Sequence, residues 1–328
     1  MKTRQIGTHN VPAIGLGCMN LSHAYGTPPP AEAAEALLMR ALELGVTHFD
    51  TAALYGFGSN ETLVGQALCT HRDKIFLASK CGMTGVDGKR VIDGRPETIM
   101  RTCDEALQRL RTDRIDLYYL HRWDKQVPIE ESIGAIARLV EAGKVLSVGL
   151  SEVSADTLRR AHAEHPISAL QTEYSLWTRN PEIAVLEACR ELGTAFVAFS
   201  PLGRGFLTGA MRDVSGLEMK DIRCNMPRFA PDNFARNLPL VDGLQEIAKE
   251  AKATPAQLAL AWLLARDDNI LPIPGTTSIV HLEENLGAAE VTLDASLMEA
   301  LDHLINRQTV VGARYNTATQ SEIDTEEF

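Results

Sequence analysis

Four residues of different chemistry, Asp50, Tyr55, Lys80 and His121, each stand at or just beyond the end of a short apolar run. The run Gly45-Val46-Thr47-His48-Phe49 reads as a buried strand that ends at Asp50, with Tyr55 in the loop that follows. Ile75 to Ser79 stops at Lys80, and Ile115 to Leu120 stops at His121. A phenol, with a reference pKa of about 10, is a poor acid at neutral pH. An ammonium beside it stabilises the phenolate and lowers that value, and a carboxylate can hold the ammonium in place. An imidazole can orient or polarise a carbonyl oxygen. The set suits carbonyl reduction: a proton goes to the forming alkoxide, and hydride comes from a nicotinamide cofactor because no side chain supplies it. Taken singly, each residue has a plainer account: a turn-capping Asp, a surface aromatic, a solvated Lys and a hydrogen-bonded structural His. Apolar runs that end three times in an ionisable group depart from that account.

Groups from three runs converge only if the runs leave one rim. After an expected hairpin (Thr3 to Ile6, then Val11 to Ile14), the chain alternates strand-like and helix-like segments. Helices are expected near 31–44, 60–69, 96–110, 128–142 and 154–163, then one opened by Pro181, and others near 239–251, 255–265, 280–288 and 294–305. The strands between them end at Asp50, Lys80 and His121 or run near 145–150, 168–173, 195–199 and 270–273. Glycines in Ile14-Gly15-Leu16-Gly17 allow close approach of backbone to a ligand, although a tight first strand is the simpler account. An irregular stretch, 200–237, is too long for an ordinary connection. Eight strand–helix units without an interior linker predict a (β/α)8 TIM barrel with an N-terminal β-hairpin and an extra C-terminal helix. The expectation is one barrel domain over 1–328, with 306–328 a polar C-terminal tail. Active sites of such barrels lie at the carboxyl ends of the strands, where the four residues fall.

With 328 residues, 45% of them hydrophobic, the chain can bury a barrel-sized core. A net charge of −11 weighs against a nucleic-acid partner, and no apolar run approaches a membrane span. The first residues lack the apolar core of a signal peptide, and the six cysteines show no CxxC or metal-ligand spacing. A cytoplasmic protein with reduced thiols and no metal is the expectation.

The segments Gly45 to Ala52 with Tyr55-Gly56, Leu77 to Lys80, Ile115 to His121, Gly149 to Glu152, Gln171 to Leu176, Phe199 to Gly205 and Leu282 to Asn285 resemble, in order, those of the aldo-keto reductase family. The resemblance implies a barrel, NADP(H)-dependent carbonyl reduction of a small aldehyde or ketone, and a catalytic tetrad on Asp50, Tyr55, Lys80 and His121. It carries Ser151 and Gln171 over as carboxamide contacts and Phe199 as the ring that stacks on nicotinamide. Ser200, Leu202, Gly203 and Arg204 would border the pyrophosphate, and Glu284 and Asn285 would lie near adenine. No Gly-x-Gly-x-x-Gly follows a first strand, as fits a family that binds its cofactor on the barrel rim.

The chain also departs from the family. Phe199 replaces a frequent Tyr, Glu152 replaces a frequent Asn, and Thr84 to Arg95 and the tail after about residue 316 lack a family counterpart. After the eighth strand, relatives tend to carry Lys or Arg where this chain reads Gly275-Thr276-Thr277-Ser278 and His281. Backbone N–H groups and hydroxyls there can receive an anion but do not replace a guanidinium. NADP(H) binding with weak preference and appreciable NAD(H) use is therefore expected. Tyr25, Leu54 and Trp123 are candidate walls of the substrate pocket. The alternative function is a cofactor-binding regulatory subunit resembling potassium-channel β subunits. A Schiff-base aldolase using Lys80 leaves Tyr55, Gln171 and Ser200 to Arg204 without a purpose.

Overall fold

The computed structural model describes residues 2–328. Strands β1 (Thr3–Ile6) and β2 (His9–Pro12) pair as an antiparallel hairpin. The alternating part follows: β3 (Leu16–Gly17), α1 (Ala31–Glu43), β4 (His48–Asp50), α2 (Ser59–Leu68) and β5 (Phe76–Cys81). A second antiparallel hairpin, β6 (Met83–Val86) and β7 (Lys89–Ile92), precedes α3 (Pro96–Leu110), β8 (Leu117–Leu120), α4 (Ile129–Glu141) and β9 (Val148–Ser151). Then come α5 (Ala155–Glu164), β10 (Ile167–Glu173), α6 (Val185–Leu192), β11 (Ala195–Phe199), α7 (Pro231–Glu250), α8 (Pro255–Arg266), β12 (Ile270–Pro272) and α9 (Ile279–Gly287). Helices α10 (Ala295–Leu304) and α11 (Thr317–Gln320) end the series.

The sheet is parallel throughout, in the order β12-β11-β10-β9-β8-β5-β4-β3. Its two edges meet: Gly15 N–H donates to the Pro272 carbonyl at 3.1 Å and Gly17 N–H to that of Pro274 at 3.3 Å. The sheet thus closes as a (β/α)8 barrel. Side chains at Gly15 and Gly17 would crowd this seam, since a Cβ would lie 2.8 Å from His48 Nδ1 and 2.9 Å from the Ile273 carbonyl respectively. Close approach to the last strand, rather than to a ligand, is what these glycines first provide.

Strand periodicity of two sorts the side chains. One set, including Phe76, Ala78, Leu117, Tyr119, Ala169, Ala195, Val197 and Leu271, forms a compact cluster with Ile6 and Val11 of the hairpin. The alternate positions, among them Leu77, Tyr118, Leu120, Leu170 and Phe196, join the larger core with the helices. Continuing the first set by two residues along each strand reaches Lys80, His121, Gln171 and Phe199. The period that fills the barrel therefore also carries these residues to its mouth.

Three segments differ from expectation. Helix α7 starts at Pro231, eight residues before the expected 239, because Pro231 supplies the first turn and Pro239 lies inside the helix. The stretch expected to open a helix at Pro181 forms a 3-10 turn, Asn180–Glu182, and α6 begins at Val185. The tail is packed against the barrel: Tyr315 and Ile323 are buried. Asp324 accepts from Ser154 Oγ at 2.9 Å and Thr157 Oγ1 at 2.7 Å, while Lys125 Nζ donates to the Ile323 carbonyl at 2.7 Å. Among the described residues no helix is long and apolar enough to cross a membrane, and no group of His, Cys, Asp and Glu could hold a metal ion.

Candidate active site

At the mouth, β4 and β5 are neighbours, with Asp50 opposite Ala78 and Lys80 two residues further along β5. Lys80 is fully buried and donates to Asp50 Oδ1, to the Thr51 carbonyl at 2.8 Å and to Tyr55 Oη at 3.2 Å. Those three acceptors use all three donors of the ammonium. The other oxygen of Asp50 accepts from Gln171 Nε2 at 2.7 Å. Tyr55 meets His121 edge-on, with ring centroids 5.8 Å apart and planes at 86°. His121 Nδ1 has no hydrogen-bond partner among the described residues.

Burial sets much of the electrostatics. It pushes the Tyr55 phenol above its ordinary value; Lys80 pulls the other way, as expected, without overcoming it. Burial opposes the charge of Lys80 as well, but Asp50 and the phenol raise the ammonium above its usual range. Burial, then the cations Arg122, Lys80 and Arg90, holds His121 well below the usual imidazole value. At neutral pH the set is therefore a protonated phenol, a charged ammonium and a neutral imidazole.

A cleft of about 1030 Å³ runs from this cluster across the rim. Asp50, Tyr55, His121, Ser151, Gln171, Phe199, Ser200, Leu202, Arg204, Gly275, Thr276, Thr277, Glu284 and Asn285 all line it. Lys80 lies beneath the floor, and Gly203 faces a small adjacent cavity. The volume is at the upper end of the range for ligand sites, large enough for a dinucleotide with a small second molecule. Gly275 of the lining packs closely on the first barrel strand, since a Cβ there would fall 2.7 Å from Asn20 Oδ1 and 2.9 Å from the Gly17 carbonyl. Asn20 Oδ1 is itself buried without a partner among the described residues. A lining that includes the Phe199 ring, the unpaired Asn20 amide and hydroxyls at the start of α9 fits a nicotinamide dinucleotide.

One expected contact has another commitment. The Arg204 side chain is almost fully buried; it donates to Glu173 Oε2 at 2.7 Å and Tyr315 Oη at 3.1 Å, so its charge is already paired. Ser278 Oγ accepts from His281 N–H at 3.4 Å and caps α9. Arg40, a cation beside α9, is bound to Glu283 at 2.7 Å. Glu152, at φ +57°, pairs with Arg314 of the tail and accepts from Glu173 N–H at 2.9 Å. Tyr25 and Leu54 line the cleft. Trp123 does not: its Nε1 donates to the Val127 carbonyl at 2.8 Å and Arg160 stacks over its ring.

The sequence reading missed His23, Arg90, Arg122 and Arg223 as cleft residues, and with them Tyr315, Asn316, Thr319 and Glu322 of the tail. Arg90 arrives on the β6–β7 hairpin, whose turn residues Asp87 and Gly88 both have positive φ, 50° and 72°. Asp-Gly is the residue pair this two-residue turn favours, so a usable signal was present. For the tail no local signal exists.

A model of the Aldo/keto reductase family matches residues 13–306. The chain is 45% identical over 328 residues to aldo-keto reductase yakc [NADP(+)] of Schizosaccharomyces pombe, covering 98% of this chain and 96% of that protein. It is 43% identical over 316 residues to probable aldo-keto reductase 1 of Glycine max, covering 95% and 91%. Among solved structures, a glycerol dehydrogenase from Gluconobacter oxydans is similar with a TM-score of 0.85 and 26% identity, over 93% of this chain and 95% of that one.

Proposed function

The chain belongs to the aldo/keto reductase family, and from that premise we propose that it reduces aldehyde or ketone carbonyls to alcohols with Tyr55 as the proton donor. The observation that carries this reading is the hydrogen bond from Lys80 Nζ to Tyr55 Oη. Because the hydroxyl oxygen accepts from the ammonium, its own proton is free to point into the cleft. Burial keeps that phenol protonated until an oxygen more basic than phenolate forms beside it. The ammonium then lies against the phenolate left behind and stabilises it. Asp50 and the Thr51 carbonyl fix the ammonium, so this stabilisation needs no reorganisation during the reaction. His121, neutral and edge-on to Tyr55, can orient the carbonyl oxygen by hydrogen bonding without competing as an acid.

A nicotinamide dinucleotide supplies the hydride when bound. Phe199 would face its nicotinamide, Ser151 and Gln171 its carboxamide, Ser200, Leu202 and Arg204 its pyrophosphate, and Glu284 and Asn285 its adenine. The relative named as NADP(+)-dependent supports NADP(H) as cofactor. Arg40, the cation beside α9, is already bound to Glu283, which supports appreciable use of NAD(H) as well. The regulatory alternative draws no support from the relatives compared.

The test is steady-state turnover of a panel of small aldehydes and ketones with NADPH and with NADH. The expected result is stoichiometric conversion of carbonyl to alcohol with NADPH, and measurable conversion with NADH. Absence of alcohol formation across the panel would contradict the proposal.

A further inference from the structure

The cations at the Tyr55 end of the cleft are paired with carboxylates, with one exception. Lys80 has Asp50, Arg90 has Glu322 at 2.5 Å, Arg204 has Glu173 at 2.7 Å and Arg223 has Asp221 at 2.6 Å. Arg122 has no carboxylate within ion-pair distance among the described residues. Its side chain is half-buried and lines the cleft with Tyr55 and His121. One guanidinium nitrogen, Nη1, donates to the His121 carbonyl at 2.7 Å and to Ser151 Oγ at 3.3 Å, which fixes the plane of the group. Nε and Nη2 make no hydrogen bond among the described residues. Those two nitrogens form the edge that grips a carboxylate through two parallel bonds.

Both reacting-site groups feel this charge. Arg122 opposes the rise of the Tyr55 phenol and adds to burial in depressing His121. In a protein of net charge −11, a lone unmatched guanidinium at this place is not part of a generally basic surface.

We infer that Arg122 binds an anionic group of the substrate, so that the preferred substrates are aldehydes or ketones bearing a carboxylate near the reacting carbonyl. The inference rests on the carbonyl-reduction reading above and narrows its substrate class. Arg122 is a specificity residue in this account, because proton transfer stays with Tyr55. The plainer account is that Arg122 only ties the His121 loop to Ser151 while water covers its free edge.

A matched pair, 4-carboxybenzaldehyde and its methyl ester, separates the two accounts. The readout is the ratio of kcat/KM for the acid to that for the ester in the wild-type protein, Arg122→Met and Arg122→Lys. The wild-type ratio is expected to favour the acid. Arg122→Met should lower the ratio by roughly ten- to a hundredfold, the usual range for hydrogen bonds to a charged group, and Arg122→Lys should restore part of it. Should Arg122→Met not fold, inhibition of ester reduction in the wild-type protein by benzoate but not by benzamide reads the same contact. An equal loss on both substrates, with the ratio unchanged, or equal inhibition by the two additives would overturn the inference. Turnover of neither aldehyde by the wild-type protein would instead overturn the reduction reading, and this inference with it.

Discussion

Two buried charge clusters sit at the same barrel mouth and are assembled in different ways. Asp50, Lys80 and Tyr55 come from adjacent strands and the loop between them, 30 residues apart at most. Glu152 and Glu173, at the ends of β9 and β10, depend on Arg314 and Arg204, and Arg314 is 162 residues from Glu152. The second cluster closes on itself. Burial opposes the charge of Glu173, but Arg204, Arg314 and Arg228 together hold its carboxyl below the usual range. Thr178 Oγ1 also donates to Glu173 at 3.0 Å. In the first cluster, the Tyr55 hydroxyl accepts from Lys80 and still has a proton to give towards the cleft. Burial and perturbed ionisation are common to both; a hydroxyl proton not already engaged distinguishes the first cluster.

Breaking the second cluster should show most in stability. Arg314→Met leaves Glu152 buried without its partner, and one-sided loss of a buried ion pair typically costs about 3–5 kcal/mol. Denaturant unfolding would measure it, and a loss under about 1 kcal/mol would show that the tail is held by its other contacts. Adding Glu152→Gln should recover part of the loss, because the uncompensated charge is then removed.

Breaking the first cluster should show in chemistry. Lys80→Met should slow carbonyl reduction by about a hundredfold or more, within the range for general acid catalysis. The pH dependence of alcohol oxidation should also move. Lys80 lowers the phenol's pKa against the rise caused by burial, so removing the ammonium raises it further. The phenolate needed as base in oxidation then forms only at higher pH, and the profile shifts upward. A slow variant with an unshifted profile would mean that Lys80 only fills space beneath the phenol.

The same contrast explains how much could be read from sequence. Asp50, Lys80 and His121 were legible because each closes an apolar run, and barrel topology alone brings the exits of adjacent strands together. The pairing of Glu152 with Arg314 was not, since neither residue is marked by periodicity and their meeting depends on how the tail crosses the mouth. Arg122 sits directly after His121, visible but uninformative until its lack of a carboxylate partner could be seen. Glu152 departs from the family pattern, and its partner supplies the reason: an Asn there could not neutralise the tail's guanidinium. The second hairpin stands apart, because the Asp87-Gly88 pair is itself a local signal for its two-residue turn.

The far end of the cleft gives the smallest expected effect. With Arg40 committed to Glu283, Thr277→Arg should add the missing cation. NADPH should bind roughly tenfold more tightly, as for one charge-assisted hydrogen bond, with NADH almost unchanged. A wild-type preference for NADPH above about a thousandfold, roughly 4 kcal/mol, would contradict the account of a cation-poor site.

The most direct test of Tyr55 as proton donor is the single-turnover rate of carbonyl reduction by Tyr55→Phe with cofactor bound. The substitution removes one hydroxyl and keeps the ring that packs edge-on to His121. The rate should fall by about a hundred- to ten-thousandfold while cofactor affinity and folding stay near those of the wild type. A Phe variant that turns over the same carbonyl at a near-normal rate would contradict the assignment.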